Sequence, residues 1–406
     1  MRKFIILSIV FISVFFVSQG QNTNTKYRWT KLSTEYGDLE LPFKGTMQSD
    51  LIVADFNKDS KDEFIVIEGT DAPSVVMYVH NGGKKWEKYF IEKRKIQAGE
   101  SSAIADIDKD GDMDFAIGSN ESNQIWWWEN PYPDYSPSKQ WKRNYIKKSG
   151  SPLHKDMSFG DFDGDHELEL AFWNQGENAL YIAESPEKIE KTDVWPLELI
   201  YTYSTDGQMF QKSNGSELAK VGVNFHAGIC TADINLDGID DLVAGGMWFN
   251  YNGKEYKCNE IDKSYISARI AVAQIYEGDR PEIIMAPGEG DGPLVVYNYE
   301  KGVWIQTILQ KNLRKAHSLK IIDFDKDGDL DILSAEMRTN EVSDPKIFLL
   351  INSGSGIFER IDISSSIDSH NTGVGDIDGD GDYDIIGKPY RWDTPRIDIW
   401  LNDGKK

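Results

Sequence analysis

The chain has little cysteine, proline, histidine or positive charge: 2 Cys, 14 Pro and 6 His among 406 residues. Two cysteines cannot staple a chain of this length, so a disulfide framework is excluded. Lysine and arginine number 44 against 67 acids, a net charge of −23. That deficit argues against a nucleic-acid partner or an anionic membrane, since both demand a basic face. Long apolar runs are also missing, with one exception. Arg2 and Lys3 precede Phe4 to Val17, and Ser18-Gln19-Gly20 follow. The run is about 14 residues, where a membrane span needs roughly 20. It reads as a secretory signal peptide over residues 1–20, cleaved near Gly20–Gln21. The expectation is an exported protein, periplasmic or extracellular, with no transmembrane segment. Residues 21–406 then form a single domain, by default a monomer.

What the chain does have is acid placed at regular intervals. A nine-residue pattern, acid-x-acid/Asn-x-acid-Gly-x-x-acid, starts at Asp55, Asp106, Asp161, Asp233, Asp323 and Asp376, with a degenerate copy at Gln274. These six full loops hold 28 acids and only four bases, so they carry the whole net charge and leave the rest of the chain near neutral. Apolar stretches flank each loop, as in Leu51-Ile52-Val53 before the first and Phe64 to Ile67 after it. A third strand follows in every repeat. A fourth, with an aromatic residue and alternating apolar positions, follows in most, for example from Lys84, Lys139, Gly302 and Gly356. Repeats of this length suit a four-stranded propeller blade. The seventh repeat stops after its third strand, while Tyr27 to Leu32 form a spare strand at the other end. The expectation is therefore all-β: a seven-bladed β-propeller with ring closure by the N-terminal strand. It places Cys230 and Cys258 on the first and fourth strands of blade four, about 14 Å apart at 4.8 Å per strand. Both are expected as free, buried thiols.

Alternating acids with a glycine at position six describe an oxygen cage for a hard cation, and hard oxygen ligands with no Cys favour Ca²⁺ over zinc or copper. The candidate ligands at positions one, three, five and nine can be assigned loop by loop. Loop one offers Asp55, Asn57, Asp59 and Glu63; loop two, Asp106, Asp108, Asp110 and Asp114; loop three, Asp161, Asp163, Asp165 and Glu169. Loop four offers Asp233, Asn235, Asp237 and Asp241; loop six, Asp323, Asp325, Asp327 and Asp331; loop seven, Asp376, Asp378, Asp380 and Asp384. Ser60 and His166 replace the glycine in loops one and three. Loop five has lost its first acids and should be a plain hairpin. With these loops set between strands, the chain resembles the FG-GAP/VCBS repeat proteins, such as integrin α-subunit heads. That resemblance covers about residues 27–404 and implies up to six structural calcium sites between the first two strands of the blades.

Four of the six histidines stand just before a loop: His154 and His226 by seven residues, His317 and His370 by six. This places them at the start of the innermost strand, opposite the calcium loops, around the mouth of the central channel. Gln48, Glu100 and Arg269 hold corresponding positions elsewhere. The two offsets fall on opposite faces of a strand unless a bulge intervenes. Loops on the same face bring Glu289, Asp291, Glu336, Arg338, Lys388, Tyr390, Arg391 and Trp392. Three readings stand open: histidines that cap strands, a catalytic or ligand-binding set, and a transition-metal site such as Zn²⁺ at the channel mouth. A neutral imidazole can remove a proton beside a carboxylate, Tyr390 can protonate a leaving oxygen, and Lys388, Arg391 or Arg338 can face developing negative charge. Trp126, Trp127 and Trp128 offer flat surfaces for sugar rings, against blade packing for at least two of them. Residues 201–224 offer a lid. The runs from His317 and His370 are similar to aldos-2-ulose dehydratase-type propellers, which implies carbohydrate chemistry of the elimination or dehydration type. The alternative is a non-catalytic propeller that binds glycan or protein through the same face.

Overall fold

Alternating apolar residues bounded by Asn, Asp and Gly turns make short antiparallel strands, and the chain pairs them in sequence order. The computed structural model describes residues 26–189, 192, 194–204, 225–354, 356–389 and 395–405. The leader at residues 1–20, Tyr390, Arg391, Trp392 and most of the 201–224 connection lie outside the described residues.

Seven four-stranded antiparallel sheets form. In blade one the order from the axis outward is Gln48–Ala54, Glu63–Glu68, Val75–His80 and Trp86–Glu92. The innermost strands of blades two to seven are Ala98–Ala105, His154–Gly160, Ile229–Ala232, Arg269–Ala273, Ala316–Ile322 and Asn371–Gly375. Successive innermost strands pack against one another, and the seventh packs against the first, which closes the ring. The second strands, such as Glu63–Glu68, Asp114–Ser119 and Asp331–Glu336, are buried along their whole length. Each sheet is sandwiched between two neighbours, so both faces of these strands must be apolar. The core is accordingly divided into seven clusters, each between adjacent blades.

Ring closure follows the expected route. Tyr27–Ser33 runs antiparallel to Asp398–Lys405, with Leu32 opposite Ile399 and Thr30 opposite Leu401. It supplies the fourth strand of blade seven. Leu32 and Ile399 join Leu51, Phe64 and Val66 of blade one in a single cluster. A buried aliphatic side chain of this kind contributes roughly 1.5–3 kcal/mol. The joint has a polar clasp as well: Asp376 N–H donates to Asp62 Oδ2 at 2.8 Å, and Asp62 N–H donates to the Asp376 carbonyl at 2.9 Å.

Two expectations need correction. Both cysteines are free, but Cys258 is exposed and Cys230 only half-buried. Cys230, on a short inner strand, packs against the cluster between blades four and five, and Cys258 lies on an outer strand with solvent on one face. The Trp126–Trp128 run packs all three indoles in the interior, at 2 %, 2 % and 0 % exposure. Trp126 and Trp128 face blade one and Trp127 faces blade three, so none is available to a sugar.

A chain that begins at Thr34 removes the closing strand and leaves an open sheet edge. It should melt at lower temperature and associate with rising concentration in analytical ultracentrifugation. Unchanged melting and a strictly monomeric profile would count against closure by this strand.

Candidate functional site

Two kinds of site emerge, one repeated at the blade hairpins and one single on the axis. In the hairpin loops, the position-nine carboxylate folds back onto the N–H of position two. The distances are 3.0 Å for Glu63 to Phe56, 3.1 Å for Asp114 to Ile107, 2.7 Å for Glu169 to Phe162 and 2.9 Å for Asp241 to Ile234. Asp331, Asp384 and, in loop five, Glu282 do the same. Position one then accepts the N–H of position six, as Asp106 does from Gly111 at 3.0 Å. Position six is left-handed in all six full loops, including Ser60 and His166, both at φ 71°. Position four is left-handed too, at Lys58, Lys109, Gly164, Leu236, Lys326 and Gly379. Loop five has neither, which fits its lost acids.

In loops two, three, six and seven, three carboxylates bring oxygens within 4.8 Å of one another: Asp106/Asp108/Asp114, Asp161/Asp163/Glu169, Asp323/Asp325/Asp331 and Asp376/Asp378/Asp384. That is about twice a calcium–oxygen distance, so one ion can touch all three. Burial, with help from the neighbouring carboxylates, pushes Asp114, Glu169 and Asp384 up to about 8. Asp106 Oδ1 and Glu169 Oε1 are buried with no hydrogen-bond partner. Acids so crowded and so incompletely satisfied fit a cation. Loops one and four place an asparagine amide in the same space. Asn57 Nδ2 donates to Glu63 Oε1 at 2.7 Å, and Asn235 Nδ2 to Asp237 Oδ2 at 2.8 Å.

The histidines separate by their offset. His154 and His226, seven residues before their loops, turn between blades. His154 is fully buried; its Nδ1–H donates to the Ser119 carbonyl at 2.8 Å, and its Nε2 accepts from Lys147 at 2.9 Å. His226 lies against Tyr203, with ring centroids 4.0 Å apart, and beside Trp173 and Tyr201. Burial lowers the pKa of each to about 4. His317 and His370, six residues before theirs, face the axis and stack with centroids 4.0 Å apart. The expected ring of four imidazoles is thus a pair, together with two structural histidines.

The same offset governs the other blades, a signal that was present in the sequence. The residues six and five positions before each loop bring Asp50, Glu100, Lys155, Asp156, Arg269, His317 and His370 to the axis. Most of these line a cavity of about 210 Å³. Bulges set the aim: the register slips at Ser49, Asp156 and His317. Asp156 adopts φ 37°, a strained value for a residue with a side chain, and is clamped by Gly228 N–H at 2.8 Å and Arg269 Nη1 at 2.5 Å. Lys155 pairs with Glu100. Arg269 Nη2 lies 2.8 Å from His317, whose Nε2 is also 3.1 Å from Glu289 Oε1. Lys388 is buried behind His370, with Nζ 3.2 Å from its Nδ1, and burial lowers its pKa to about 8. Burial lowers His370 well below the usual range; burial and then Arg269 lower His317.

Lys320, which the sequence reading overlooked, stands in the channel and lines both this cavity and an apolar one of about 270 Å³ beneath it. Its side chain is exposed to the channel space, yet the surrounding inner strands displace bulk water and lower its pKa. Gln48 turns away to accept Arg396 N–H, Glu336 caps the Arg314 and Lys346 amides, and Arg338 reaches Asp368 at the rim. Asp291 pairs with Arg314 outside the pocket.

Residues 106–172, which run from loop two through loop three, and residues 323–387, from loop six through loop seven, match the FG-GAP-like repeat family. These two stretches are similar to FG-GAP-like repeats. None of the curated proteins matches the sequence. Among solved structures, the β-propeller domain of Myceliophteria thermophila Cps50 (Swd1) is 8% identical with TM-score 0.50, covering 91% of this chain and 99% of that one. The V. cholerae biofilm matrix protein Bap1 is 11% identical with TM-score 0.43, covering 88% of each chain. Rhamnogalacturonan lyase YesW is 11% identical with TM-score 0.44, covering 86% of this chain and 71% of that one. At these identities the likeness is one of fold. No helix among the described residues is long and apolar enough to cross a membrane.

If the acidic loops hold calcium, chelation with EDTA should lower the melting temperature and added calcium should restore it. A site filled at one hundred times its Kd adds about 2.7 kcal/mol. An unchanged melting temperature would refute the cages.

His154 gives a second test. Its pKa is depressed on folding, so its stabilisation is complete above about pH 6.5 and is lost as pH falls towards 4. Between pH 8 and pH 5 this amounts to about 2 kcal/mol. The His154→Gln variant should be less stable at pH 8 but lose about 2 kcal/mol less than the parent on acidification, as read from urea midpoints in saturating calcium. Equal losses would show that His154 is protonated in the fold.

Proposed function

We propose that this chain is an exported, calcium-stabilised propeller whose axial pocket acts on an acidic carbohydrate by elimination. The observation that carries this reading is Lys320: an amine of lowered pKa, open to the channel, beneath a collar of Arg269, His317 and His370. A lysine brought down by its surroundings serves as a general base. The cationic and imidazole groups of the collar face the carboxylate of the sugar and hold the charge that spreads onto it as the neighbouring C–H bond breaks. The electrons of that bond form a carbon–carbon double bond, and the glycosidic or hydroxyl oxygen at the next carbon departs. The proton taken by Lys320 is returned to that oxygen or to solvent. The cavity above Lys320 holds about one sugar ring, which favours attack at a chain end or on a single sugar. Cleavage and export follow from the leader sequence, and the six loops supply the calcium sites. His154 and His226 support the blades in this scheme. His317, His370 and Lys388 act at the site.

Lys320→Met keeps the length of the side chain and removes the amine. It should reduce formation of the unsaturated product, read by ultraviolet absorbance on a panel of uronic-acid oligosaccharides, by at least about a hundredfold, with melting temperature held. Full activity in the variant would overturn the assignment. A parent protein that binds these sugars without turning them over would place the chain among the carbohydrate-binding propellers.

A further inference from the structure

We propose that the axial collar is also a site for one transition-metal dication, held by Glu100, His317 and His370. These residues come from the innermost strands or strand starts of blades two, six and seven, and only ring closure brings them together. Each offers a ligand atom, and the three atoms lie within 4.8 Å of one another. Both imidazoles are nearly inaccessible, at 3 % and 2 % exposure, and their planes are 20° apart, so they present parallel edges in one direction. Parallel neighbouring rings are a geometry in which two imidazoles can bind adjacent positions on one ion.

One ligand is tied at its far nitrogen as metal-bound histidines are: His317 Nδ1 lies 3.1 Å from the His370 carbonyl. Its Nε2 faces Glu289 Oε1 at 3.1 Å and gives up that contact, and the proton in it, when a metal binds. Lys388 Nζ lies 3.2 Å from His370 Nδ1, so the neutral ring carries its hydrogen on Nε2, 3.7 Å from Glu100 Oε2, and releases that proton when a metal binds there. The donor set separates this site from the hairpin loops. Two imidazoles and one carboxylate suit zinc and its neighbours and leave coordination positions open, whereas the all-oxygen loops suit calcium. The open positions face the cavity that Lys320 lines.

The charges around the collar can accommodate the ion. Lys155 pairs with Glu100, and Arg269 lies against His317, so an entering dication must displace both cations from its ligand atoms. Asp156 stands next to Lys155 and can receive its ammonium when a dication takes Glu100. Unlike the elimination reading, this site needs no substrate, and it can be tested in the resting protein.

The experiment uses the full mature chain with calcium in excess to fill the loops. Cobalt(II) is titrated in and its visible d–d absorption followed. One equivalent should give an intense band that zinc abolishes and further calcium does not. His317→Gln and His370→Gln should each weaken binding about tenfold or more, and Glu100→Gln should do the same without touching a histidine. Asp106→Asn, in a hairpin loop, should leave the band unchanged. The absence of a band in the calcium-filled protein, or a band indifferent to all three collar substitutions, would overturn the proposal and leave the collar as an ion-pair network.

Discussion

A carboxylate turned back onto its own hairpin is the interaction on which the rest of this molecule depends. In all seven blades the position-nine acid accepts the N–H of position two and fixes the turn between the first two strands. It persists in loop five, where the rest of the cage is gone. Burying that acid raises its pKa, and the acids at positions one, three and five add repulsion. A dication would relieve both costs at once. Structure and charge are therefore coupled: the acid that shapes the hairpin also creates a site that a dication would satisfy.

At the opposite end of the same strands the solution is different. The axis collects Asp50, Glu100, Asp156 and Glu289 against Lys155, Arg269, Lys320 and Lys388, so opposite charges are interleaved there. Bulges and the strained Asp156 set which side chains reach the pocket. Strain of this kind persists where surrounding contacts hold it in place, and Arg269 and Gly228 do so here. The inner strands thus carry acidic cages at one end and a mixed, partly desolvated collar at the other, joined by an apolar throat through Leu51, Val53, Ile321 and Val374.

Much of this could be read from sequence because propeller geometry is local and repeated. The period of the acidic loops, the spare strand at Tyr27 and the missing strand after Leu401 lead directly to the closed ring. The six-or-seven offset of the histidines contained the answer to which of them meet, but it needed the bulges to decode it. A slip of one residue in a strand changes the face, and a bulge changes it back. Lys320 was hidden for another reason: it sits mid-strand, in a stretch whose apolar neighbours suggest simple packing. The Trp126–Trp128 run misled in the opposite direction. Aromatic residues at consecutive positions point to alternate faces, but in a blade both faces are interior. Cys258 was expected inside because its strand belongs to a blade; being outermost, that strand has solvent on one side.

The clasp between the two ends of the chain also has a kinetic meaning. Tyr27–Ser33 is among the first segments of the domain to be made, yet its partner, Asp398–Lys405, is the last. Blades one to six can each form from neighbouring sequence, whereas the seventh waits for a contact spanning nearly the whole domain, whose entropic cost grows with the logarithm of the span. Until it forms, the ring is an open arc with a raw sheet edge at one end, and Glu100, His317 and His370 have no fixed geometry. The axial site is expected to be completed only with ring closure, and a chain cut just before Asp398 to keep six full blades while losing the outer half of the seventh.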